Sequence, residues 1–331
     1  MNTICKVLIL GSSLWSTCCS AGIEQYYEFT NRAELFIIQK SHIKALQLYD
    51  SAFSSVDKNK IFVGDLYNGS VCAAKLSEWN TLKTYCLWMA ENGCPITFFK
   101  KSIFKGIISE SRFYKKLETT CQVNSQKRNI TLNDEYGLLV EKYDSLMKYC
   151  SATGDFDNPY RLTLSKQVGL FIGRYGYPTD NDVGTTVRSD TILRFSKFSQ
   201  IIQSFATYFE PQTVEILLSE IERGKMPSMD LYALRNRLGS RTWDSPYIVY
   251  GCDVYKTKNS ISDFFTKFSG RYFIASFQDY GDKMYFNLTS NQDSFYFKTF
   301  QVTIGSFKNE EGEKQTLSLY DKMPDKLLGC Q

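Results

Sequence analysis

Residues 24–53, EQYYEFTNRAELFIIQKSHIKALQLYDSAF, decide the fold of the first part of the chain. Small and apolar side chains recur there at intervals of three and four, at Phe29, Ala33, Phe36 and Ile37 and then at Ala45, Leu48, Tyr49 and Ala52. This spacing is typical of a helix that is buried on one face, whereas a half-buried strand would alternate. The pattern breaks at Lys40-Ser41-His42, so we predict two short helices joined by a tight turn.

A second helical pair is predicted directly after the first. Residues 65–76 and 78–92 have small and apolar side chains at the same spacing, and Gly93-Cys94-Pro95 then supplies residues that end helices. Ala45 of the first pair aligns with Leu82 of the second, 82 − 45 = 37 residues later. A further helical segment is predicted over residues 98–117.

These two pairs resemble tetratricopeptide repeats, which are helical hairpins with a period of about 34 residues. Ala33 and Phe36 match the small and aromatic residues of the first repeat helix, and Ala45, Tyr49 and Ala52 match those of the second. The resemblance covers residues 24–118 and implies stacked helix pairs with a concave face that binds a protein or peptide. The alternative is that two pairs form too short a groove and only pack against the rest of the chain.

The first 21 residues have the layout of a secretory signal peptide. Lys6 precedes the apolar run Val7–Trp15, and small residues follow up to Ala21. The run is too short to span a bilayer, which needs about 20 apolar residues. We therefore predict cleavage after Ala21, export to the periplasm or cell envelope, and no transmembrane segment. Lipidation of Cys18 or Cys19 and a buried N-terminal helix are the alternatives.

Composition argues against several classes of function. The net charge, 39 − 35 = +4, is small and well mixed, so we expect no nucleic-acid partner. His42 is the one histidine, and we interpret it as an exposed turn residue, so catalytic triads and multi-histidine metal sites have little basis. No Cys-x-x-Cys occurs, and Cys72 and Cys86 are predicted to pack in the core. We expect no cofactor and no metal.

Residues 130–255 are predicted to form a second helical domain. The hinge before it is placed near 120–130, with 151–159 as the alternative. Asp180 and Asp182 could hold calcium in a loop, but the glycine and glutamate of an EF-hand are absent, so a structural loop is predicted. Helical patterns cover residues 132–149, 162–172, 185–208, 211–224 and 227–238, and a strand-like run covers 246–251.

This order resembles a helical bacterial domain of unknown function that is often found behind such repeats. The match rests on Tyr175-Gly176-Tyr177-Pro178 with Val183-Gly184, on Ala233-Leu234 with Asn236-Arg237, and on Tyr250-Gly251. That family tends to have an Asp-Gln-x-x-Arg motif, for which this chain has only Asp144-Ser145 with Lys148, and a helical histidine, which residues 194–198 lack. Any active site that uses those groups is predicted to be lost here.

Asp144, Arg194 and Arg237 are the candidate ligand-binding residues of this domain. The arginines can pair with carboxylates inside the helical bundle or bind an anionic ligand. Because carboxylates can perform acid–base catalysis without histidine, an enzyme that uses Asp144, Asp190, Arg194 and Arg237 is the alternative function.

Residues 256–331 change in character, because aromatic and polar residues alternate there. Strands are predicted at 272–277, 284–289, 294–304 and 315–320, with turn residues between them. They would form a small antiparallel β meander that packs on the helical domain, or exposes its aromatic face to a sugar or a partner. The predicted fold class is mostly α, and α+β overall. The predicted function is an exported bacterial protein that binds a protein or peptide in the cell envelope.

Overall fold

The computed structural model describes residues 22–326 of the chain with several internal gaps. The gaps comprise residues 156–157, 189–190, 193–195, 235–237, 239–246, 251–252, 258–267, 269, 292–294, 298, 300–301 and 304–319. The predicted signal peptide, Asp190, Arg194 and Arg237 therefore lie outside the described residues.

The first four helices form two hairpins that repeat every 37 residues. Helix α1 covers 22–38, α2 His42–Ser54, α3 Val63–Lys75 and α4 Trp79–Glu91. Helices α2 and α4 begin 79 − 42 = 37 residues apart, and α1 and α3 end 75 − 38 = 37 residues apart. The predicted helix pairs and their 37-residue offset are confirmed, and the tetratricopeptide class stays a prediction.

The turn inside each hairpin repeats as well. Lys40 and Ser77 occupy equivalent positions and both have left-handed backbone, with φ of 58° and 59°. The N–H groups of Ser41 and Glu78 each donate to the carbonyl five residues earlier, at 2.8 and 2.9 Å. This is the Schellman ending of a helix, in which glycine usually takes the left-handed position. The two turns are thus the same structure formed by different residues.

Three aromatic rings interrupt the helix that was predicted over 98–117. Short 3-10 segments at Ile96–Lys100 and Ser102–Phe104 are followed by α5, Lys105–Ile108, and α6, Ser111–Lys127. The irregular path buries Phe98, Phe99 and Phe104 completely, and their centroids lie 5.5 to 5.8 Å apart. One continuous helix could not point three such closely spaced rings into one core.

The next helices build a second bundle. Helices α7, α8, α10 and α11 agree with the predicted positions or with part of them, whereas α9 is a single turn. Their bounds are α7 Ile130–Thr153, α8 Tyr160–Tyr175, α9 Asp180–Val183, α10 Lys197–Phe205 and α11 Pro211–Glu222.

Two predicted helices of this bundle need correction. The helix predicted over 185–208 is wrong in its first half, where β1, Val187–Arg188, pairs antiparallel with β2, Thr191–Ile192. Threonine and β-branched residues prevail there, and they favour extended backbone. The helix predicted over 227–238 is a 3-10 segment at Ser228–Leu234.

The last part contains a four-stranded sheet and one long helix. Strands β3, β4, β5 and β6 cover Tyr247–Tyr250, Asp253–Thr257, Val302–Thr303 and Tyr320–Lys326, in the order β5-β3-β4-β6. Strand β3 pairs parallel with β5, so the sheet is not the simple meander that was predicted. Helix α12, Phe277–Thr289, replaces the strand predicted at 284–289, and residues 274–276 before it are irregular.

The reason for this error is visible in α12. Its buried residues Tyr280, Met284 and Leu288 lie four apart, which is a helical period. Ser276 caps the helix by accepting a hydrogen bond from the N–H of Asp279 at 3.1 Å. The intervening aromatic residues gave an apparent alternation that concealed this pattern.

The described residues form two hydrophobic cores. The hairpins enclose the first, together with Phe295 and Phe297, and helices α7, α8, α10, α11 and α12 enclose the second. The chain passes from one to the other between α6 and α7. The described cysteines are free thiols, and the predicted burial of Cys72 and Cys86 is confirmed. Among the described helices, none has the length and apolarity needed to cross a bilayer.

Candidate functional site

A cleft with an open mouth lies between the two cores. One wall comes from the first helix of each hairpin, with Tyr27, Asn31 and Glu34 on α1 and Gly64 at the start of α3. The opposite wall comes from the second core, including α9, residues 227–229 and α12. The cleft is therefore the place where the repeated part and the rest of the chain face each other.

Helix α1 faces the cleft because it has two stripes. Tyr26, Ala33 and Ile37 are buried in the first core. Tyr27, Thr30, Asn31 and Glu34 follow a second stripe at helical spacing and line the cleft. The helix is thus covered on both sides, which explains why its apolar pattern alone does not reveal the cleft.

A buried ion pair joins the two walls. The Lys283 Nζ on α12 lies 2.5 Å from the Glu34 Oε2 on α1, and the two side chains are 4% and 11% exposed. Lys283 also donates to the Asn31 Oδ1 at 2.8 Å. Burial raises the pKa of Glu34, and the charge of Lys283 partly reverses that rise. The pair positions α12 against α1.

Tyr27 makes a second connection across the cleft. Its hydroxyl donates to the Met226 carbonyl and accepts from the N–H of Ser228, both at 3.2 Å. Burial raises the pKa of Tyr27 far above its usual range, so the phenol keeps its proton and can do both. The ring is therefore fixed at its outer end.

A third connection is an extended piece of chain at residues 295–297. Asn68 on α3 pairs with both backbone groups of Tyr296, at 2.7 Å each. On the other side of the segment, the Asn291 side chain donates to the Phe295 carbonyl at 2.7 Å and accepts from the Phe295 N–H at 2.8 Å. Asn287 donates to the carbonyl of Phe297 at 3.1 Å. Backbone groups that alternate in direction in this way are those of an extended strand.

A hydrogen-bond network lies at the far wall of the cleft. The Asp230 Oδ2 accepts from the Tyr177 hydroxyl at 2.9 Å and from the Ser199 hydroxyl at 2.6 Å. Ser196, which lines the cleft, lies 3.2 Å from the Tyr177 hydroxyl. Burial and the charge of Asp230 raise the pKa of Tyr177 well above its usual range. The network connects α10 to the 3-10 segment Ser228–Leu234 and thereby fixes the shape of this wall of the cleft.

The structure does not bring Asp144 into the cleft. Its Oδ1 pairs with the Lys197 Nζ at 2.6 Å, and the Asp144 side chain is 52% exposed. The other two candidate ligand-binding residues, Arg194 and Arg237, lie outside the described residues, so their convergence with Asp144 stays a prediction.

The structure also shows the positions of the two loop aspartates and of the histidine that the sequence analysis considered. Asp182 forms a capping box with Thr179 at the start of α9, while Asp180 lines the cleft. His42 is not the exposed turn residue that was predicted, because it begins α2 and its ring stacks on Phe295 with centroids 6.0 Å apart. Within the described ranges, no group of three or more His, Cys, Asp or Glu side chains is placed to hold a metal ion.

Sequence reasoning missed the cleft residues Asn31 and Lys283 and the neighbouring Asn68. One signal could have found two of them, since 68 − 31 = 37 and asparagine recurs at the repeat period. Lys283 had no such signal, because its burial depends on a contact with Glu34 249 residues earlier in the chain, 283 − 34.

Comparison of the chain with family models, with curated proteins and with solved structures found no match.

Proposed function

We propose that this chain is an exported, tetratricopeptide-like binding protein that holds a segment of a partner protein or peptide in the cleft between its two cores. The observation that supports this most is the composition of the cleft, which is lined both by aromatic rings such as Tyr27, Phe62 and Tyr136 and by amide side chains such as Asn31 and Asn181. Rings bury apolar side chains and amides pair with backbone groups, so such a surface suits a peptide.

Residues 295–297 support the choice of a peptide over a small molecule. They lie extended against α3, with Phe295 and Phe297 buried and the backbone paired with asparagine side chains. The hairpins therefore already bind one polypeptide segment, which belongs to the chain itself. Tyr296 and residues of α1 also line the open cleft, which is where a second segment would bind.

The predicted signal peptide at 1–21 would place this binding activity in the periplasm or cell envelope. The alternative, an enzyme that uses Asp144, Arg194 and Arg237, has no comparable support. Its one described member, Asp144, pairs with Lys197 outside the cleft.

The test is affinity capture from the cell envelope with residues 22–331, chemical crosslinking and mass spectrometry. Tyr136→Ala removes a half-buried ring from the cleft wall. Truncation of an aromatic residue in an interface commonly costs about 1 to 4 kcal/mol, so we expect recovery of a true partner to fall about 5-fold or more.

Leu138→Ala is the matched control, because Leu138 lies on the same helix but is 51% exposed and outside the cleft. A partner that the unchanged chain and Leu138→Ala recover equally, and that Tyr136→Ala loses, supports the proposal. The proposal fails if no partner is recovered, or if all three chains recover the same partners to the same extent.

A further inference from the structure

Asn31 and Asn68 occupy equivalent positions of the two hairpins, and each binds the backbone of an aromatic residue far along the chain. The Asn31 Nδ2 donates to the Phe273 carbonyl at 3.4 Å. The Asn68 Nδ2 donates to the Tyr296 carbonyl at 2.7 Å. The repeat thus supplies the same amide donor twice.

The residues one helical turn earlier are also equivalent, since 64 − 27 = 37, and they contact the rings of the same two aromatic residues. The ring of Tyr27 stacks on that of Phe273, with centroids 5.5 Å apart and an interplanar angle of 14°. At Gly64 a Cβ would lie 2.2 Å from the ring of Tyr296, so the missing side chain makes room for that ring.

Residues i and i+4 share one face of a helix. In each repeat, the first residue of such a pair therefore contacts the ring of an aromatic residue, and the second binds the backbone carbonyl of the same residue. We call these pairs the α1 clasp, Tyr27 with Asn31, and the α3 clasp, Gly64 with Asn68.

The two clasps hold their aromatic residues unequally. The α3 clasp makes two hydrogen bonds of 2.7 Å to Tyr296, which is flanked by two buried phenylalanines. The α1 clasp makes one long hydrogen bond to Phe273. Phe273 also has a φ of 58°, in the left-handed region that bulky L-residues rarely adopt. The α1 clasp therefore binds Phe273 less strongly than the α3 clasp binds Tyr296.

We infer that the α1 clasp is a docking position for an aromatic residue of an extended partner peptide, which displaces Phe273. This inference rests on the proposed function and names the chemistry that the cleft selects. Tyr27 and Asn31 both line the cleft. An aromatic residue of a bound peptide can stack its ring on Tyr27 and accept a hydrogen bond from Asn31 at its carbonyl. It can do so with an extended backbone, without the left-handed φ of Phe273.

The clasp is already organised for such a guest. The Tyr27 hydroxyl is held by the backbone at Met226 and Ser228, so its ring stays in place. The Asn31 Oδ1 accepts from Lys283, which leaves the Nδ2 of the same amide to serve as the carbonyl donor. A guest then binds groups whose orientations are already fixed, which lowers the entropic cost of binding.

The experiment empties the α1 clasp and offers it a ligand. Phe273→Gly removes the ring, and glycine adopts a positive φ without strain, so we expect the variant to fold. The probe is a labelled, acetylated and amidated hexapeptide with one central Phe, measured by fluorescence anisotropy beside the same peptide with Ala. We expect the Phe peptide to bind Phe273→Gly about 10-fold more tightly than it binds the unchanged chain, and the Ala peptide to show no such gain.

Two further variants identify the site of the gain. Asn31→Ala in the Phe273→Gly background should abolish the gain, whereas Gln25→Ala, which removes an exposed amide of the same helix outside the cleft, should keep it. Equal binding of the two peptides, or a gain that survives Asn31→Ala, overturns the inference.

A second measurement does not depend on the folding of any variant. The unchanged chain is irradiated with the hexapeptide that has benzoylphenylalanine in place of Phe, and crosslinked sites are located by mass spectrometry. Crosslinks at residues 24–34 support the inference, and crosslinks confined to other segments overturn it. If envelope partners depend on Tyr136 but not on Asn31, the proposed function stands and the inference about the α1 clasp fails. If the Phe peptide binds at the α1 clasp but no envelope partner is recovered, the inference stands and the proposed function fails.

Discussion

Replacing Lys283 by Met should destabilise the protein strongly, because Lys283 and Glu34 form a buried ion pair between the two cores. Methionine keeps an unbranched apolar side chain of similar length. The substitution therefore removes mainly the charge and the hydrogen bonds to Glu34 and Asn31.

The burial of the pair sets the expected magnitude. Removing one partner of a buried ion pair costs about 3 to 5 kcal/mol, because the other charge is left buried and uncompensated. Since 11% of the Glu34 side chain reaches solvent, we expect the lower end, about 3 kcal/mol in the free energy of unfolding at pH 7. The double variant Glu34→Gln/Lys283→Met should recover most of this loss, because neither buried charge remains.

The loss should also depend on pH in one direction. The pKa of Glu34 is raised by burial in the folded protein, and without Lys283 it rises further. A carboxyl group with a raised folded pKa stabilises the fold below its unfolded pKa, about 4.3, and that contribution is lost as the pH rises through the folded pKa. The deficit of Lys283→Met relative to the unchanged chain should therefore be largest near pH 7 and shrink towards about pH 4.5.

The assay is equilibrium unfolding in urea, followed by far-ultraviolet circular dichroism at both pH values. Lys83→Met is the matched control, because the Lys83 and Glu110 side chains of that pair are 26% and 51% exposed, and we expect a loss below about 1 kcal/mol. A loss below about 1 kcal/mol for Lys283→Met, a deficit that is equal at both pH values, or a double variant as unstable as the single one would refute the reasoning.

Gly64→Ala should destabilise by about 2 kcal/mol, because its Cβ would lie 2.2 Å from a tyrosine ring, whereas Gly137→Ala, in open space on α7, should stabilise by about 0.5 to 1 kcal/mol in the same urea assay. Lys40→Gly and Ser77→Gly should each stabilise by about 1 kcal/mol, since both residues have left-handed backbone, and a gain at only one would contradict their equivalence. An alkylating reagent should modify Cys121 slowly in the native protein, because burial raises the pKa of its thiol to about 11. It should modify the fully buried thiols only after unfolding, as measured by mass spectrometry; these are Cys72, Cys86, Cys94 and Cys150.

Local patterns predicted most of the helical fold but much less of the site. The hairpins, α7, α8 and α11 were found because each has a long stretch of apolar residues at helical spacing and a clear helix stop. The pattern failed where aromatic residues were dense. In α12 the half-buried rings of Tyr285 and Phe286 imitated the alternation of a strand, and at Phe98, Phe99 and Phe104 three rings required an irregular path.

The sequence by itself determined the repeat, since each hairpin is built by residues close to one another in the chain. It also contained the recurrence of Asn31 at Asn68, but not the role of either. Their partners, Phe273 and Tyr296, are 242 and 228 residues away, and only the packing of the two cores brings them together. The same is true of Glu34 and Lys283. Periodicity reports which face of a helix is buried, but it contains no information about what covers that face, so the tertiary structure alone decided the cleft and its clasps.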